Sequence, residues 1–172
     1  MMRLPLIVAI CCLAAFAQAR PLERELPPAK AACWERTYDA AHLASHPQQK
    51  VTRIRLVHLP QNWAEAGQGG FYVALYLNLR QRVKADQRFD YQLGGICKPA
   101  GQALRCVPEW EAGNWRIQRG PNGTLDIRNA GIIANPNPYD AEEIADGAAR
   151  IPARPDDGLW RLSPASGLCG ME

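Results

Sequence analysis

Histidine, cysteine and arginine are the residue types in this chain whose spacing could do chemistry. His42 and His46 stand four apart, as on one helix face, beside Tyr38 and Asp39, and His58 follows on the Ile54 and Leu56 side of an alternating segment. Imidazoles at i and i+4 hold zinc or copper when a third ligand joins them, so His42, His46 and His58 form the candidate metal set. The competing reading is structural: His46 precedes Pro47, at a helix end where the dipole favours a cation, and His42 can bond a backbone carbonyl. The base of a zinc peptidase is missing, because Leu43-Ala44-Ser45 stands where H-E-x-x-H needs a Glu. None of Ser45, Ser163 and Ser166 lies in G-x-S-x-G. Glu109 and Glu111 are two apart, whereas glycosidase acids face each other from separate elements at about 5 to 9 Å. These residues assign no catalytic group and imply no cofactor.

Of six cysteines, Cys11 and Cys12 lie inside an apolar run, which leaves Cys33, Cys97, Cys106 and Cys169. The C-x-x-C spacing of redox centres and the paired spacings of structural zinc are both absent. Four cysteines allow three pairings. Pro99 and Gly101 mark a tight reversal between Cys97 and Cys106, so these two are predicted to bond across a hairpin, leaving Cys33 with Cys169 near the two ends.

The third set is cationic. Arg53, Arg55, Arg80 and Arg82 fall on the outward positions of two predicted neighbouring strands, with Tyr72 and Tyr76 alongside, and make a basic strip with aromatic contact area. An anionic envelope component or an acidic protein would suit it. A solvated face, partly neutralised by the acidic Asp140 to Asp146 segment, is the ordinary alternative.

These side chains need elements to place them. Residues 1–19 carry Arg3, an apolar run from Leu4 to Phe16 and the site Ala17-Gln18-Ala19, the pattern of a cleavable signal peptide. An apolar run of about 13 residues is short of the roughly 20 that span a bilayer, so no membrane anchor is expected in the mature chain. Export makes disulfides the default and predicts a periplasmic or secreted location after cleavage near Ala19. Residues 20–32, with three prolines among charges, read as an extended leader. Residues 33–172 then form a single domain.

Trp34 to His46 has helix formers and no Gly or Pro, and predicts a helix ended by Pro47. Beyond it the period is two. Val51 to Leu59 alternates, and in Phe71 to Leu79 the odd-numbered apolar residues face one way and Tyr72, Ala74, Tyr76 and Asn78 the other. Further strands are predicted at Phe89 to Leu93, ahead of a bulge or bend at Gly94-Gly95, then at Ala103 to Val107 and Leu159 to Leu162. A hairpin joins Asn114 to Arg119 with Thr124 to Asn129 around Gly120-Pro-Asn-Gly123. Tyr139 to Ala149 reads as a short acidic helix. The fold class is mainly β, an antiparallel small barrel or sandwich with one N-terminal helix.

The runs CWERTYDAAHLASHPQQKVTRIRL, GGICKPAGQALRC and DDGLWRLSPASGLC resemble small exported proteins of unknown function from Gram-negative bacteria, over most of residues 33–169. Where those proteins have an acidic, Gly-rich stretch after the second hairpin cysteine, this chain reads Val107-Pro-Glu-Trp-Glu-Ala-Gly113. The resemblance implies a compartment and a β fold, and carries over no catalytic residue. Arginine dominates the cations, with only Lys30, Lys50, Lys84 and Lys98 as lysines, a bias typical of G+C-rich bacterial coding.

The formal charge of +3 is too small to argue for nucleic acid. Its distribution is uneven: residues 50–130 carry 12 basic and 6 acidic side chains, and residues 131–172 carry 3 and 7. The functional expectation is a non-catalytic binding protein of the envelope or periplasm, with a histidine-metal protein or a hydrolase as alternatives.

Overall fold

The computed structural model describes residues 22, 26, 31–58, 70–81, 88–108, 111–137, 144–165 and 169. The signal-peptide assignment lies outside them. Nine strands follow in chain order: β1 (Ala32–Thr37), β2 (Val51–His58), β3 (Phe71–Leu79), β4 (Tyr91–Ala100), β5 (Ala103–Val107), β6 (Gly113–Arg119), β7 (Leu125–Pro136), β8 (Ala149–Ile151) and β9 (Leu159–Pro164). Among the described residues one α-helix, α1 (Ala40–Ser45), joins β1 to β2.

All pairings are antiparallel, and eight strands close a ring in the order β1-β2-β3-β4-β5-β6-β7-β9. Closure excludes the sandwich and leaves no edge in the ring to template aggregation. The long strand β7 shapes both ends. Its first half pairs with β6 and β9, and its last residues reach β4 at Tyr91↔Pro136 and Gln92↔Asn135. At that mouth the β5–β6 hairpin has left the ring, which is narrower there by two strands. β8 pairs with β7 beyond the end of β9, in the same lane.

Period-two alternation sends Ile54, Leu56, Val73, Leu75, Leu77, Leu93, Leu104, Ile117, Ile127 and Leu162 inward, where they pack with Trp34, Trp115 and Trp160. Most are 0% exposed, so no water-sized space touches them: side chains fill the barrel. The Cys97–Cys106 bond lies in this interior, joining residues directly opposite on β4 and β5. A second cluster lies outside the barrel wall. Cys33, Val57, Ala74, Tyr76 and Phe89 pack there with Ala165 and Cys169, and the Cys33–Cys169 bond crosses it. Both disulfides are compatible with an oxidising compartment.

Several expectations change. Trp34 to Thr37 is strand, not helix, because Cys33 must face the outer cluster and Trp34 the interior, an alternation no helix permits; burial outweighs the weak helix preference of this segment. The helix starts only after Asp39, whose side chain accepts from the His42 amide at 2.7 Å as an N-cap. Gly94 and Gly95 make no bulge, since the β3–β4 register runs through them unbroken. Each makes room for an aromatic group: a Cβ on Gly94 would lie 2.0 Å from the Tyr72 hydroxyl, and one on Gly95 would lie 2.5 Å from the Trp115 ring. The leader is not merely extended, because Leu22 and Leu26 are buried in the main core. The acidic-helix segment divides: residues 139–143 lie outside the described residues, 144–148 are irregular around a turn at Asp146 and Gly147, and Ala149 opens β8. The predicted hairpin stands, turned by Asn122 and Gly123 at positive φ.

Candidate functional site

On the outer face, Glu35 of β1 lies opposite Arg55 of β2, with Arg53 two residues along. Its carboxylate takes both arginines, accepting from Arg53 Nε and Arg55 Nε at 2.6 Å each. Both guanidiniums lie over the Phe89 ring, at 4.7 and 5.6 Å from its centroid, and Tyr76 packs against the same ring. Arg55 and Tyr76 are buried. This half of the predicted strip is therefore a closed polar patch over the Cys33–Cys169 cluster. Among the described residues the neutralising acid is Glu35; residues 140–143 of the acidic segment lie outside them. Burial raises the Tyr76 hydroxyl to about 12.

Burial pushes the Glu35 carboxyl up, but the hydrogen bonds and charges of Arg53 and Arg55 outweigh it, and the net shift is below the ordinary 4.5. A lowered carboxyl pKa stabilises the fold above the unfolded value and loses that contribution as pH falls through the folded one. Glu35→Gln should cost about 2 kcal/mol at neutral pH, the scale of charge-assisted hydrogen bonds. That deficit should shrink when urea unfolding is repeated well below pH 4.5; an equal deficit at both pH values would refute the assignment.

The other half of the strip is structural. Arg80 donates from Nε to Gln49 O at 2.6 Å and from Nη2 to Leu43 O and His46 O at 2.6 and 2.9 Å, closing the C-terminal end of α1. Tyr72 is half-buried on the outer wall against Gly94. Arg82 lies outside the described residues.

The histidines do not converge. His42 stacks between Tyr38 and His46, with ring centroids at 4.7 and 4.0 Å, and its Nε2 lies 3.0 Å from Gln49 Oε1. His58 is buried at the other end of β2, about 23 Å from Val51 at ~3.3 Å of strand rise per residue. Among the described residues no three His, Cys, Asp or Glu side chains form a metal-binding group. Ser45 Oγ lies 3.0 Å from His46 Nδ1, but that nitrogen is also 2.9 Å from His42 O. A carbonyl only accepts, so Nδ1 carries the hydrogen and cannot serve Ser45 as a base. Glu111 is exposed, and Glu109 and Ser166 lie outside the described residues.

A different face carries the free charge. Lys98 lies opposite Arg105, Arg105 opposite Arg116, and Arg116 opposite Arg128, one residue from each of β4, β5, β6 and β7. All four are exposed and none is in an ion pair of the described residues. At a strand spacing of about 4.8 Å the row is about 14 Å long. Like charges directly opposite destabilise a sheet, so folding alone gives no reason for this row. Arg128 is within electrostatic reach of Asp126, but Arg161 already holds that carboxylate with two bonds of 2.7 and 2.9 Å. The Arg161 hydrogen bonds keep the Asp126 carboxyl below its usual range. Beside the row, Ile96 and Val107 face each other on the same wall, and Val107 is 44% exposed. Sequence reasoning passed over these cations because they are 7, 11 and 12 residues apart. The signal was present: each is flanked by inward residues, Cys97, Leu104 and Cys106, Trp115 and Ile117, and Ile127.

Fold and face together define a closed eight-stranded antiparallel barrel, filled inside, tied by two disulfides and basic along one outer wall. Comparison with protein-family models, with curated proteins and with solved structures finds no match to the chain. Among the described residues no helix is long and apolar enough to cross a membrane.

Proposed function

We propose that this protein is an exported, non-catalytic binding barrel that docks on an anionic component of the cell envelope through the β4–β7 wall. The observation behind the reading is the unpaired row Lys98, Arg105, Arg116 and Arg128. A filled interior directs binding to the surface, and a charged row about 14 Å long suits an extended partner; Ile96, Lys98, Arg105 and Val107 also line a concavity of about 620 Å³ on this wall. An anionic lipid surface fits both parts of the face: the row meets headgroup phosphates, and Ile96 and Val107 border it with apolar area.

The test is co-sedimentation with vesicles of phosphatidylglycerol against vesicles of phosphatidylcholine. Binding is expected to the first only and to weaken with salt. Each cation near an anionic surface contributes about 1 kcal/mol, so Arg105→Glu with Arg116→Glu should lower the affinity by at least about 30-fold. Both positions are exposed, and the fold should survive. Undiminished binding by the double variant, or equal binding to both vesicles, would overturn the reading.

A further inference from the structure

A second cationic feature lies at the narrow mouth, away from the β4–β7 row, and it too is concave. The start of β2, the end of β3 and the segment after β8 enclose a groove of about 680 Å³ lined by Lys50, Arg80, Arg150 and Arg154, with Leu79 and Tyr91 on its wall. That volume is within the ordinary range of small-molecule sites, about 300 to 1,000 Å³. No acidic side chain is among its described lining residues.

The groove is built rather than incidental. Asp157, fully buried, accepts from the Lys50 amide at 2.6 Å and the Val51 amide at 3.2 Å, and Asp156 accepts from the Gln48 amide at 3.1 Å. These bonds clamp the segment after β8 onto the start of β2. Asn129 adds bonds from its Nδ2 to Ile151 O and Asp157 O, at 3.2 and 3.1 Å.

The cations are positioned by neutral groups. Arg80 is held by three backbone carbonyls, and Lys50 Nζ donates to Arg150 O at 3.0 Å. Carbonyls orient these groups without cancelling their charge. Arg150 and Arg154 are exposed and in no ion pair of the described residues. Of the described carboxylates nearby, Asp156 accepts the Gln48 amide and Asp157 the Lys50 and Val51 amides, and neither is in an ion pair with Arg150 or Arg154. Four cationic residues lining one space suit a ligand carrying more than one negative charge. Guanidiniums in pairs match phosphate oxygens in geometry as well as charge.

We infer that this groove is a binding site for a small phosphate-bearing molecule, distinct from the wall of the β4–β7 row. The oxyanion sits among Lys50, Arg80, Arg150 and Arg154, and the remaining volume takes a body of about sugar size. A free phosphate ion and a phosphorylated sugar share this chemistry, and the test separates them.

The experiment is calorimetric titration of the full chain with inorganic phosphate, ribose 5-phosphate and ribose. Ribose is expected not to bind. Equal affinity for the two phosphates would show that the site reads the oxyanion alone; tighter binding of ribose 5-phosphate would show that it also reads the body. Arg150→Ala with Arg154→Ala, both exposed positions, should weaken phosphate binding at least about tenfold with the melting temperature unchanged. The variant Arg105→Glu with Arg116→Glu should bind phosphate as the parent does. Absence of binding in both phosphate arms, retention in the Arg150 and Arg154 variant, or loss in the Arg105 and Arg116 variant would each overturn the assignment.

Discussion

Replacing Cys33 and Cys169 together by alanine should cost about 5 kcal/mol of stability, from the unfolded-chain entropy that a bond over so long a loop removes. The bond spans 136 residues, against 9 for Cys97–Cys106, whose loop closure is worth about 2.5 kcal/mol on the same account. Marginal domains hold about 5 to 15 kcal/mol in all, so the first loss is a large share of the total. Packing adds to it: Cys33 and Cys169 share the outer cluster with Val57, Ala74, Tyr76 and Phe89, and the bond holds the C-terminal segment over β1, β2 and β3. Denaturant midpoints of the two double variants at one pH check the order. A smaller loss for Cys33 and Cys169 than for Cys97 and Cys106 would mean that the termini are held by other contacts, with Leu22 and Leu26 first among them.

The second large effect is in the barrel interior. Trp115 and Trp160 are fully buried, and truncating either to alanine should cost about 3 to 5 kcal/mol. Phenylalanine separates the two. Trp160 Nε1 donates to the buried Asp157 carboxylate at 3.4 Å, whereas Trp115 Nε1 is buried with no partner among the described residues. Burial pushes the Asp157 carboxyl above its usual range, and amide donors from Lys50 and Val51 and the Trp160 indole pull against it. Trp160→Phe removes one of those donors and should cost about 2 kcal/mol, while Trp115→Phe removes an unpaired N–H together with some ring volume and should fall within about 1 kcal/mol of the parent. Thermal and urea unfolding of both variants measure the difference. Equal losses would show that the Trp160 bond contributes nothing beyond packing.

Much of the barrel was legible because strand alternation is local. In Phe71 to Leu79 the odd positions had to share a face, and Val73, Leu75, Leu77 and Leu79 pack in the interior core. Less legible was that the other face is also covered, since Ala74 and Tyr76 are buried by Phe89 and by Cys169 from the far end of the chain. The helix prediction at Trp34 failed for a related reason: its partners Leu56 on β2 and Pro164 on β9 are distant in sequence. For the predicted strip, residue type singled out arginine, but only pairing showed that Glu35 takes Arg53 and Arg55 and that carbonyls take Arg80.

Composition and spacing alone determined a β chain, a short disulfide-bonded reversal at Cys97 and Cys106, and the hairpin around Gly120 to Gly123. Each follows from backbone and side-chain preferences over about ten residues or fewer. Closure of the ring, the unpaired row on β4 to β7 and the groove walled by β8 and Asp157 were decided by tertiary structure. Pairing between strands sets which charges meet, and that register is a property of the whole closed sheet.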